Sequence, residues 1–144
     1  MRTKEFLGKL EHARIAKAIA DAESKTSGEI RVFIQRGELA DAYDEARKQF
    51  EKLGMTKTRD RNAVLIFVAP RAQKFAVLGD VGIHERCGKE FWETVVGAMR
   101  EDFRAENFTN AIVHAIEQTG VALGQYFPRQ TDDRNELPDA VEEG

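Results

Sequence analysis

From Asn62 to Ala69 the chain reads Asn-Ala-Val-Leu-Ile-Phe-Val-Ala, and Pro70 ends the run. A stretch this apolar and this short predicts a strand buried on both faces, so helices must cover its sheet from both sides. That places the chain in the layered α/β class. Ile30-Arg31-Val32-Phe33-Ile34 predicts an earlier strand over 30–35, with Ile30, Val32 and Ile34 on one face and Phe33 making the other partly apolar. Lys74-Phe75-Ala76-Val77-Leu78, closed by Gly79, predicts a third strand over 74–79.

Helical spacing fills the intervals. Phe6, Leu10, Ile15, Ile19 and Ala22 suggest one helix over 3–26, stopped by Thr26-Ser27-Gly28 with Gly28 at positive φ. Asp41 is an N-cap for a second helix through Tyr43, Ala46, Phe50 and Leu53, ended by Gly54. A third helix begins near Lys89 and carries Trp92, Val95, Met99 and Phe103, a stripe read as core. Asn107 caps a fourth, with Phe108, Ile112, Ala115, Thr119, Ala122 and Tyr126 on its buried side. Gly120 and Gly124 weaken that helix by roughly 1 kcal/mol each relative to Ala, and read as allowing close packing on the sheet. Strand–helix–strand is a right-handed crossover, so the strands at 30 and 62 should be parallel. The link from Pro70 to Gln73 is too short for another crossover, so the strand at 74 should run antiparallel.

Composition narrows the function classes. The chain has 144 residues, which suits one domain, read as 1–130 with a polar, acidic, extended or disordered tail over 131–144. A net charge of −3 leaves no basic face for phosphate backbones, so nucleic acid is excluded as a partner. Cys87 is the sole cysteine, which rules out an internal disulfide and fits a reducing compartment. No run approaches the ~20 apolar residues of a membrane span, and the first residues lack a signal-peptide core. The reading is a soluble cytoplasmic chain without membrane insertion, although one whose leader had been removed would read the same.

The predicted topology brings candidate chemistry to one edge. The starts of the strands at 30 and 62 lie beside the end of the strand at 74. Ser27 and Glu29 precede the first start, Asp60 and Asn62 flank the second, and Asp80 follows the third end. Oxygen donors from three segments suit a hard cation such as Ca²⁺, with Asp80 as the main ligand helped by Asp60, Asn62 or Glu29. Glu106 is a weaker candidate. Ordinary solvated loop acids are the plainer account of the same residues. Gly79-Asp80-Val81-Gly82 lacks the lysine and third glycine of phosphate loops, so it reads as a tight turn into a helix near Ile83. His12, His84 and His114 are isolated, and only His84 is near the rim. No His-Glu-x-x-His, Gly-x-Ser-x-Gly, Asp-x-Asp or cysteine-phosphatase loop occurs.

Ser27-Gly28-Glu29-Ile30, Phe50-x-x-Leu53-Gly54-Met55, Arg61-Asn62-Ala63-Val64-Leu65-Ile66, and Phe75 through Ile83 follow one another in an order and spacing that resembles the TPM domain family. Phe103-Arg104 before Phe108-x-x-Ala111-Ile112 fits its last part, so the resemblance covers residues 10–127. Phe91-Trp92 and the tail segment Asn135–Asp139 resemble its stand-alone soluble bacterial subgroup. The resemblance implies a Rossmann-like three-layer α/β/α sandwich with a mixed sheet. It also implies a calcium site and an acid-phosphatase activity, and it links some members to photosystem repair and others to membrane-tethered accessory roles. Two function classes follow. The favoured one is an accessory or binding domain with a calcium-binding rim. The alternative is a metal-dependent acid phosphatase acting on phosphomonoesters. The partner is accordingly an unidentified protein or a small phosphorylated substrate.

Overall fold

The computed structural model describes residues 1–129 and 141–143. Its elements run α1 (Thr3–Lys9), α2 (His12–Glu23), β1 (Glu29–Ile34), α3 (Ala42–Lys52), a 3-10 turn (Met55–Lys57), β2 (Ala63–Ala69), β3 (Lys74–Gly79), α4 (Val81–Cys87), α5 (Lys89–Arg104), α6 (Phe108–Tyr126) and β4 (Val141–Glu143). The sheet is mixed, in the order β3-β2-β1-β4. β1 and β2 are parallel, with Glu29 opposite Ala63 and Ile34 opposite Val68. β2 and β3 are antiparallel, with Val64 opposite Gly79 and Ala69 opposite Lys74. Every residue of β1 and β2 is buried, as the apolar run requires of central strands covered on both faces.

Alternation along the strands divides the core in two. Ile30, Val32, Ile34, Val64, Ile66 and Val68 face the larger cluster, joined by residues of α1, α2, α4, α5 and α6. Phe33, Leu65 and Phe67 face the other side, where Ala46 and Phe50 of α3 and Met55 of the 3-10 turn cover them. Phe33 and Phe67 are neighbours in the parallel register, and their rings are nearly parallel, 6.0 Å between centroids.

Three local expectations are corrected. The single helix over 3–26 is two helices, broken where Leu10 turns extended at ψ 139°. The five-residue step from Leu10 to Ile15 rotates the apolar stripe by about 140° on a 3.6-residue turn. A straight helix would carry Phe6 and Leu10 away from the side that buries Ile15 and Ile19, whereas the break buries all four. The amide of Glu11, left outside the helix ladder, donates to Thr109 Oγ1 at 3.1 Å. Gly28 does not adopt positive φ. A side chain there would meet Leu123 Cδ2 at 2.7 Å and the carbonyl of Asn62 at 3.0 Å, so close approach selects the glycine. Gly120 likewise packs against a helix rather than the sheet, with a hypothetical Cβ 2.7 Å from that of Ala22 in α2.

Most of the segment read as a tail lies outside the described residues. Its described part, Val141–Glu143, forms β4 parallel to β1, and half-buried Val141 packs on the larger core.

Candidate functional site

The register brings the chain segments before β1 and β2 and after β3 to one edge of the sheet. Asp80 is its best-held acid. It caps α4, its Oδ1 accepting from the Val81 amide at 2.8 Å, and its own amide donates to the Ala63 carbonyl at 2.9 Å. The Arg61 guanidinium grips the same carboxylate as a fork, Nε to Oδ2 at 2.6 Å and Nη2 to Oδ1 at 2.8 Å. The Asp80 side chain is 5% exposed and that of Arg61 45%, so a buried anion is closed from the solvent side by a cation. Hydrogen bonding to Asp80, and then its charge, raise the Arg61 pKa above its ordinary value.

The loop is shaped to deliver that arginine. Arg61 sits at φ 51°, a conformation uncommon outside glycine. Its amide donates to the Thr58 carbonyl, and its carbonyl accepts from Gly82 at 2.8 Å. Gly82 is held so close that a side chain would collide with the Asp60 carbonyl and come within 2.6 Å of that of Arg61. Asn62 is 1% exposed. Its amide donates to Thr58 Oγ1, and its Nδ2 donates to Ser27 Oγ at 3.2 Å.

The other candidates are placed less closely. Asp60 is solvent-facing and stands 3.6 Å from Arg59. Glu29 is buried at the first position of β1. Alternation with Ile30 gives it the α3 side of the sheet, whereas α4, which Asp80 caps, packs through Ile83 into the larger cluster on the opposite side. Glu106 is not at this rim and lies at the other end of the β2–β3 hairpin. His84 is exposed and stacks on Trp92 at 5.9 Å. Burial raises the Cys87 thiol above its usual pKa, which disfavours the nucleophilic thiolate. Among the described residues no three His, Cys, Asp or Glu side chains converge as a metal cluster. The donors therefore fit a hard cation in kind, by oxygen and negative charge, without forming a finished cage. Arg61 supplies the positive charge that Asp80 meets in the folded chain.

Sequence reasoning assigned no role to Arg61 or to Glu23. The hairpin register contained the first signal, since extending the Val64–Gly79 pairing outward brings Arg61 near Asp80. Glu23, buried at the end of α2, accepts from the Ile30 amide at 2.8 Å and anchors the start of β1, with no sequence signal to mark it.

The model of the TPM domain matches residues 1–122. The chain belongs to the TPM domain family. Among solved structures, it is similar to the BA42 protein of the psychrophilic bacterium Bizionia argentinensis, with 40% identity, a TM-score of 0.85, and coverage of 93% of this chain and 92% of that one. The N-terminal domain of the cg2496 protein of Corynebacterium glutamicum shares the fold at 14% identity and a TM-score of 0.59, over 92% of this chain and 77% of that one. No curated protein matches the chain significantly. Among the described residues, no helix of this TPM chain is long and apolar enough to cross a membrane.

Proposed function

We propose that this TPM chain is a cytoplasmic accessory domain that binds a partner, and that the Asp80 rim is its cation-responsive part, with Ca²⁺ exchanging for the Arg61 guanidinium. The helix-covered sheet is read with it as a three-layer, Rossmann-like sandwich. One observation supports the proposal above others: the buried carboxylate that caps α4 is already neutralised by a long side chain that is nearly half exposed. Asp80, Asp60 and the amide oxygen of Asn62 would hold the ion, while Glu29 faces the other side of the sheet. The ion supplies positive charge that offsets the carboxylates and attracts an anionic group. Asn62 and Ser27 keep the loop in place, and Gly82 lets it lie against α4.

Calorimetric titration with Ca²⁺ tests the exchange. Asp80→Asn should abolish binding, and Arg61→Gln should tighten it by removing the internal competitor. No heat and no thermal shift at millimolar Ca²⁺ in any of the three proteins would overturn the reading. The phosphatase alternative has its own readout: hydrolysis of a chromogenic phosphate ester that falls in Asp80→Asn would favour it.

A further inference from the structure

We propose that the crevice where β2 turns into β3 binds a small amphiphile carrying one anionic head on an aromatic or short acyl body. It lies at the far end of the β2–β3 hairpin from Asp80, a strand length of about 20 Å away. The cavity measures about 650 Å³, within the range of small-molecule sites.

The lining divides into an apolar floor and a cationic mouth. Phe6, Phe75, Phe103 and Phe108 form one aromatic group, with Phe6–Phe108 and Phe75–Phe103 centroids both 5.1 Å apart. Phe6 is fully packed, but Phe75, Phe103 and Phe108 are only half-buried, which leaves aromatic surface to the cavity. Lys74, Arg100 and Arg104 stand around it against the single acid Glu106. The Lys74 ammonium donates to the Ala40 carbonyl at 2.7 Å, and Arg104 pairs with Glu101 at 3.3 Å. Of the three, Arg100 alone has neither a hydrogen bond nor an ion pair from its side chain among the described residues, so its guanidinium keeps all its donors for an anion. Gln73 and Glu106, two of the three non-glycine residues at positive φ among the described residues, also line the cavity. A second crevice of similar size, about 630 Å³, has no aromatic floor, and its Lys17 is already bonded to Asp21 at 2.8 Å. Lys25 of the second crevice is also without an ion pair among the described residues, so what sets the first apart is that aromatic surface and an unpaired cation coincide there.

Anilinonaphthalene sulfonate, an aromatic anion that fluoresces on transfer from water, is the probe, used on the full chain. Octanoate should displace it, and octanol, which has the same body without the charge, should displace it less well. Arg100→Glu lies on an exposed helix position, so the fold should stand, and it should weaken probe binding by about tenfold, the value of one charge-assisted contact. Octanol binding should change little in that variant. Phe103→Ala should weaken both ligands. Lys25→Glu, in the second crevice, should leave probe affinity as in the parent. Equal affinity in Arg100→Glu and parent, or weakening by Lys25→Glu instead, would overturn the proposal. Amide NMR shifts on octanoate addition should cluster at Gln73–Phe75 and Arg100–Phe108, and a cluster at Arg14–Lys25 would equally overturn it.

Discussion

Asp80 and Arg61 show how one contact can serve two structural tasks. The carboxylate caps α4 and fixes the loop before β2. Asp80→Ala should lower stability by about 1 kcal/mol through the lost cap alone, read as a shift in the urea midpoint. Because the Arg61 pKa is raised, its pairing with the ionised Asp80 carboxylate favours the fold below the ordinary arginine value and is lost on the alkaline side only as pH rises through the raised value. Alkaline titration up to moderate pH should therefore leave the Arg61-dependent part of stability intact. Cys87 has the same sign in a more accessible window. Burial raises its thiol pKa, so its contribution is full below the ordinary value of 9.0 and declines as pH rises beyond it. Thiol labelling at pH near neutral should be slower than for a free peptide thiol, and Cys87→Ala should flatten the alkaline loss of stability. At this scale the position of Asp80 at the strand-end rim was legible from the Gly79-Asp80-Val81-Gly82 turn that closes β3. Arg61 was not, because a lone arginine acquires meaning only when strand register sets an acid beside it.

Among the elements, strand patterning was the part most readable in the sequence, and of the two caps expected Asp41 forms while Asn107 makes no side-chain bond at the head of α6. Asp41 accepts from the Asp44 amide at 3.0 Å, as its place before α3 predicts. Asp41→Ala should cost about 1 kcal/mol by the same equilibrium measurement. The parallel and antiparallel pairings followed from link lengths alone. The break near Leu10 was missed because no proline marks it, and its signal is the five-residue step between Leu10 and Ile15. Gly120 illustrates the other blind spot. Its helix would gain roughly 1 kcal/mol from alanine by propensity, but the methyl would meet Ala22 at 2.7 Å. Gly120→Ala should therefore be destabilising in the folded chain, by thermal melting, despite improving the isolated helix. Only the packing of α2 on α6 decides that sign.

For the whole molecule, the layered α/β class was legible because a wholly apolar strand cannot be solvated on either face. Neither the crevice of four phenylalanines nor the edge strand β4 was legible. The phenylalanines come from α1, β3, α5 and α6, and each alone reads as ordinary core. Val141–Glu143 is short and polar, and only its partner gives it a place. That partner is a strand buried along its full length, and β4 occupies hydrogen-bonding positions beside Val32, Phe33 and Ile34. A chain ending at Arg129 would present those positions as an open edge, the kind of surface that recruits another polypeptide. Removal of the last residues should thus reveal itself less in melting than in solubility. Light scattering of the shortened protein should rise with concentration, while the full chain stays at constant mass.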